Sequence, residues 1–320
     1  MSGFNFTTTE LLADIKRKSF VPISQITFSD DDLLAMADEE IQTGIVPFIM
    51  SVREEYFVDY VDYIVDENTR TYPIPARTIG AKLRMVTVLI NPENNQQPNE
   101  RRLPEIDAAE SIFNNNFNNF LSLQAFFLRD NSVVLSPSAN SFAGQTLRLT
   151  YFKRPNKLIP VSSCSQLTGT VASNQAVVNI VPTNFGTGSS VTITADLVKA
   201  TDPFDLLAMD IPITIDTSTN VATFPADLST YNINVGDYIC LAGESPIAIL
   251  PFEAQSLLAQ RVAVKILQAL GDAKNFQLAT TRLQEMEHNI KAMLSNRVEG
   301  SNRKVVNHYN TFNVNPFRRF

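Results

Sequence analysis

The chain has 320 residues, more than a single domain usually holds, which leaves room for two domains or for one domain carrying an insertion. Its 44% hydrophobic and 18% charged residues are ordinary for a globular protein, whereas 21 Phe with no Trp is not. A net charge of −7 excludes an overall DNA-binding surface, because affinity for phosphates comes from clustered Lys and Arg, and no run approaches the roughly 20 apolar residues of a membrane span.

The N-terminus, Met1-Ser2-Gly3-Phe4-Asn5, has neither the positive nor the apolar region of an export signal, so a chain made and used in soluble form is expected. Helical punctuation follows. Thr7 to Thr9 precede Leu11, Leu12 and Ile15, and Lys16-Arg17-Lys18 fall where a helix end favours cations. A second helix has Ser29 as N-cap, Asp30, Asp31 and Asp32 in its first turn, an apolar face of Leu33, Leu34, Ala37 and Ile41, and Gly44 as its stop. Pro47 opens a third, through Phe48, Ile49, Val52 and Tyr56.

From Tyr56 the period changes to two, predicting a long strand to Val65 and a hairpin return through Thr71-Tyr72-Pro73-Ile74-Pro75 that its prolines confine to an edge. Further strands are predicted at Leu83 to Ile90, Leu121 to Arg129, Ser132 to Leu135 and Gln145 to Phe152, with a helix beginning at Pro104 and running to Phe117. Glu54, Glu55, Asp59 and Asp62 form the densest carboxylate group; Asp59 and Asp62 fall on opposite faces of the strand, so a solvated, charged edge is expected rather than a cation site.

Lys153-Arg154-Pro155-Asn156-Lys157-Leu158-Ile159-Pro160 reads as a linker, after which composition shifts. Residues 161–250 hold one base, Lys199, against eight acids: Asp196, Asp202, Asp205, Asp210, Asp216, Asp227, Asp237 and Glu244. Short alternating runs there predict a small β barrel or sandwich, inserted into the rest. Its charge admits a second role, a surface that repels passing DNA, with Asp202, Asp205 and Asp210 lining the passage. The two cysteines, Cys164 and Cys240, fall at buried strand ends; they read as inert hydrophobes, and whether they pair is left open by two positions alone.

Pro251 to Leu270, with Gly271-Asp272 as a turn, and a following helix with Phe276, Ala279, Leu283, Met286, Ile290 and Met293 at spacings of three and four predict an antiparallel hairpin packed on the N-terminal helices. Residues 297–320 are different. Arg297, Arg303, Lys304, Arg318 and Arg319 against Glu299 give them a net charge of +4, leaving −11 for the remainder of the chain. A segment of opposite sign to its own body, with no core of its own, is expected to order on a partner. His288 and His308 lack catalytic partners, and no phosphate loop or metal signature is present, so no catalytic, cofactor-binding or metal residue is assigned and no enzyme is expected.

The acid-capped N-terminal helices, Tyr72-Pro73-Ile74-Pro75-Ala76-Arg77, Tyr151-Phe152-Lys153-Arg154-Pro155, and Leu250-Pro251-Phe252-Glu253-Ala254 through Arg297-Val298-Glu299-Gly300 resemble the head-to-tail adaptor proteins of tailed bacteriophages over residues 8–307. That resemblance implies an α+β fold, a helical bundle with peripheral antiparallel strands, here with the inserted all-β module and an extended C-terminal tail. The expected domains are 1–160 with 251–296 as the adaptor core, 161–250 as the module and 297–320 as the tail. It also implies a homo-oligomeric ring, typically dodecameric, in the virion neck after assembly in the host cytoplasm. The portal protein and the next tail or neck ring protein are its expected partners, with genome DNA passing through the lumen without specific binding and no membrane involved. Arg297, Arg303, Lys304, Val305, Val306, Tyr309, Phe312, Phe317, Arg318, Arg319 and Phe320 are the expected partner-binding residues, aromatics and Arg being common anchors. Another neck or tail-completion ring is the alternative; a receptor- or carbohydrate-binding module in 161–250, using Phe185, Phe204, Phe224, Tyr231 and Tyr238, ranks below it.

Overall fold

The structure is a computed structural model and describes residues 6–19, 28–90, 99–109, 124–136 and 142–295. The chain begins with helix α1 (Thr8–Lys18), which buries Leu11 and Ile15. Helix α2 (Asp30–Glu40) opens on a complete capping box: Ser29 Oγ accepts from the Asp32 backbone N–H, and the Asp32 side chain accepts from the N–H of Ser29. Gly44 does not stop this helix. A π turn, Ile41–Ile45, carries it into α3 (Val46–Val52), with the Val46 N–H donating to the Ile41 carbonyl. Gly44 serves packing instead: a Cβ there would collide with the Arg261 guanidinium and lie 2.8 Å from Glu40 Oε2.

Two helices close the described chain, α4 (Phe252–Leu270) and α5 (Ala273–Leu294), joined at Gly271, whose φ of 71° is the left-handed turn that residue tolerates. Leu257, Leu258, Val262 and Ile266 of α4 share one core with Leu11 and Ile15 of α1, Leu33, Ala37 and Ile41, and Ile290 of α5. Arg261 reaches Glu40 and Glu287, and Lys265 reaches Glu40 at 2.8 Å, binding three helices at one point.

The strands form two antiparallel sheets and a barrel. In the first sheet β1 (Val58–Ile64), β7 (Thr146–Lys153), β3 (Thr78–Ile90) and β4 (Asn99–Arg102) lie in that order. The second places β2 (Thr71–Pro73) beside β6 (Ser132–Ser136), itself beside β5 (Ala125–Arg129). Val86, Val88, Leu147 and Leu149 of the first sheet pack with Tyr72, Phe126, Val133 and Leu135 of the second and with Phe142. The closed barrel has the order β10 (Gln175–Val178), β13 (Val221–Thr223), β12 (Leu206–Asp216), β11 (Ser190–Val198), β14 (Tyr238–Leu241) and β9 (Ser165–Ala172). Ile193, Leu197, Ile213, Ile215, Phe224 and Ile239 fill it. Its ingoing and outgoing segments run side by side as the parallel pair β8 (Lys157–Leu158) and β15 (Glu244–Ser245).

The expected helical bundle with peripheral strands is therefore corrected. Among the described residues the protein is mixed α/β, 36% strand, with a closed six-stranded barrel, and helices build one of the four hydrophobic clusters found there. The physical reason is pairing. β7 is hydrogen-bonded on both sides, to β1 and β3, and buries Leu147, Leu149 and Tyr151, so these strands are a core and not a fringe. The expected hairpin return is also corrected: Thr71–Pro73 is an edge strand, but it pairs with β6 in the second sheet and not with β1. Pro104 does not open a helix within the described residues, since the Pro104 carbonyl accepts from the Phe126 N–H and Ile106 donates to the Phe126 carbonyl, which is strand-like pairing. Residues 110–117 of that expected helix lie outside the described residues.

Candidate interaction surfaces

Arg297, Arg303, Lys304, Val305, Val306, Tyr309, Phe312, Phe317, Arg318, Arg319 and Phe320, the partner-binding residues expected from sequence, all lie outside the described residues. Within them, the most developed polar constellation joins the first sheet to the barrel. Arg77, just before β3, forks to Asp196 of β11 and to Asp210 Oδ1 of β12, the latter at 2.7 Å. Asp196 is fully buried, and its carboxylate also accepts from Asn156 Nδ2 at 2.6 Å and from the backbone N–H groups of Asp210 and Gly243 at 3.0 Å each. A buried carboxylate needs such a set of donors, and this one draws them from the sheet, the linker and two barrel segments.

Beside it Lys153 of β7 spans Asp59 of β1 at 3.3 Å and Asp205 of the barrel at 3.1 Å. The Tyr56 hydroxyl donates to the Phe204 carbonyl at 3.4 Å, and burial pushes that phenol well above its ordinary range. Asp38 of α2 accepts from the Leu158 N–H at 2.8 Å, and desolvation raises its carboxyl to about 6. At the start of the chain, the Lys18 ammonium donates to both the Ser256 carbonyl and its hydroxyl at 2.7 Å and pairs with Asp14, while burial pulls its pKa down.

These bonds change the meaning of the acidic residues. Asp205 and Asp210 are engaged by Lys153 and Arg77. Asp196 and Asp237 are buried, Asp237 accepting from the N–H groups of Ala200 and Asn234. A large part of the charge counted in residues 161–250 is thus structural. The carboxylates of Glu54, Glu55, Asp59 and Asp62 are each in an ion pair, with Arg84, Arg53, Lys153 and Arg148 respectively. No group of three or more metal-binding side chains occurs among the described residues.

Two features of the exposed surface lie on the first sheet. On β1, whose outer edge has no partner strand among the described residues, Ile64 is 79% exposed and Tyr60 55%, with the Arg148 guanidinium 4.1 Å from the Tyr60 ring centre. Between β3, β4 and β5 a cleft of about 610 Å³ is lined by Lys82, Arg84 and Arg102 over Leu83, Phe126 and Leu128. In the barrel, Phe185, Phe204, Phe224 and Tyr238 are buried, so they offer no stacking platform to a sugar. His288 sits exposed on α5, and no helix among the described residues is long and apolar enough to cross a membrane.

Sequence reading missed Arg77 and Lys153 as junction residues. Their partners lie 119 and 52 positions away, and only the adjacency of lone cations to Pro-marked segments hinted at them. Fold and surfaces together define a mixed α/β protein whose closed barrel is ion-paired to an antiparallel sheet. No protein-family model matches the chain, and no curated protein is similar to it at a significant level.

Proposed function

We propose that the chain is a structural subunit of a ring at the head–tail interface of a tailed bacteriophage, an adaptor that docks on the portal through residues 297–320. The observation that carries this reading is the charge opposition within one chain: +4 over the last 24 residues against −11 over the rest. A tail with Tyr309, Phe312, Phe317, Arg318 and Phe320 has the residue types that anchor interfaces, and its cations suit an acidic docking surface. The ion-paired seam supports the same role, since a neck ring transmits load and gains from a barrel fixed to the sheet at Arg77 and Lys153.

The test is binding of the full chain, and of a chain ending at Glu299, to the purified portal ring encoded with it. Capture of the full chain and loss of the shortened one is the expected result. Equal capture of both moves docking to the described body; capture of neither removes the adaptor reading.

A further inference from the structure

The shortest seam of the barrel lies between β9 and β14, with two paired positions, Gln166 with Tyr238 and Ser165 with Ile239. Cys164 and Cys240 stand where the next pair would fall. The Leu167 N–H donates to the Asp237 carbonyl at 2.9 Å, which makes Gln166 and Tyr238 a non-hydrogen-bonded pair. Two residues along an antiparallel ladder the same kind of position recurs, and there Cα atoms approach to about 4.5 Å, inside the span a disulfide bridges. The side chains agree with the backbone: Cys240 Sγ donates to Cys164 Sγ at 3.3 Å, and both residues are buried, at 0% and 1% exposure, beneath Ile159, Val198 and Ile247.

We propose that Cys164 and Cys240 are an intramolecular disulfide site, oxidised by hydrogen peroxide, that closes the barrel covalently at its shortest seam. The reaction balances in two steps. One thiolate attacks peroxide, breaking the O–O bond to give a sulfenic acid and hydroxide, which takes up the thiol's proton as water; the second sulfur then attacks the sulfenic sulfur, forming S–S and releasing a second water. Two thiols are oxidised and one peroxide is reduced. Enclosure governs the rate and the selectivity: burial holds the Cys240 thiol protonated, so attack is slow while the seam is shut, and a sulfenic acid formed at either residue has its resolving sulfur already against it. A larger oxidant such as a glutathione disulfide finds no room in the closed seam. This inference rests on the barrel alone and stands whether or not the adaptor reading does.

The experiment treats the full chain with hydrogen peroxide, quenches it, denatures it, alkylates the remaining thiols and records intact and peptide masses. A monomer lighter by two hydrogens, with no alkylated cysteine and a Cys164–Cys240 linked peptide, is expected, together with a rise in the midpoint of thermal unfolding of roughly 5–15 °C that dithiothreitol reverses. Repeating the oxidation in denaturant low enough to keep the chain folded should speed it severalfold. Sulfinic acids without the crosslink, intermolecular dimers alone, or two free thiols persisting under both conditions would overturn the proposal. Cys164→Ala must abolish the crosslink and leave Cys240 to oxidise further; because that variant need only be compared with itself before and after peroxide, its own stability does not decide the outcome.

Discussion

Arg77, just before β3, and Asp196, within β11, meet as an ion pair across the seam between sheet and barrel, 119 residues apart in sequence. Replacing Arg77 by Met leaves Asp196 charged and enclosed. Breaking one side of a buried pair costs about 3–5 kcal/mol, and the three donors that remain to Asp196 place the expected loss near 3 kcal/mol. Arg77→Lys should recover only part of it, because a single ammonium nitrogen replaces the two guanidinium nitrogens that reach Asp196 and Asp210 separately. Asp196→Asn should also destabilise, since its amide would set a donor against the Asp210 N–H or against Asn156 and Gly243. Urea unfolding of the four chains measures these losses, and a double-mutant cycle with a coupling above about 1 kcal/mol marks the pair as direct.

Because Asp210 belongs to this seam, the triple change Asp202→Lys, Asp205→Lys, Asp210→Lys does not report on DNA passage alone. Two of the three positions hold Arg77 and Lys153. Its expected first effect is lost stability and misassembly, read by thermal unfolding. Asp202→Lys by itself, away from both pairs, is the cleaner probe and should leave the unfolding midpoint within about 2 °C of the parent.

Gly44 and Arg261 give a second expected outcome. Alanine at 44 gains about 1 kcal/mol of helix propensity, but its methyl displaces the guanidinium from Glu40, which is only 10% exposed. The net change in Gly44→Ala is expected to be a loss of about 1 kcal/mol. In an Arg261→Met background the guanidinium contact is gone and only the flexible end of Glu40 has to shift, so the same substitution should then stabilise by up to about 1 kcal/mol. Denaturant titrations of the two pairs decide whether Gly44 is kept for Arg261.

The same glycine shows what local sequence can and cannot carry. Ser29 followed by Asp32 is a contiguous signal for a helix start, and the structure forms that box as written; Gly271-Asp272 works the same way. Gly44 looks like an equally local stop, yet its reason is a side chain 217 positions away. Strands fail for the same cause. The alternation of Val58–Ile64 announces a strand, while its partner is β7, Thr146–Lys153, and nothing in a period of two says so. Taking helices as the core followed from their clear local signals, whereas the three strand-built clusters depend on long-range register. Charge was misread likewise, because Asp196 and Asp237 count as acidic surface in the sequence and are core groups in the fold.

Asp38 gives the pH prediction. Its folded carboxyl titrates near 6, above the ordinary 3.8, because desolvation outweighs the Leu158 N–H bond. A raised pKa means that the folded state binds the proton more tightly, so this contribution is complete below about 3.8 and is lost as pH rises through about 6. Partial exposure screens it to roughly 1–2 kcal/mol. Asp38→Asn keeps an acceptor for Leu158 and removes the titration; it should match the parent near pH 4, exceed it by that amount at pH 7.5, and flatten the slope between. Urea midpoints at those two pH values are the measurement.

If residues 297–320 dock on a portal ring as proposed, binding should divide between charge and contact. If residues 297–320 are held by their cations alone, Arg318→Ala with Arg319→Ala should weaken binding strongly at 50 mM salt and hardly at all at 500 mM, where screening has already removed the attraction. Aromatic anchors behave otherwise: Phe312→Ala with Phe317→Ala should cost tenfold or more at both salts, because buried apolar area does not screen. The expected result is both losses, with the arginine effect shrinking several-fold as salt rises and the phenylalanine effect constant. Titrations of the three chains against the portal ring at the two salts measure it, and affinities unchanged by either pair of substitutions would place the docking surface elsewhere on the chain.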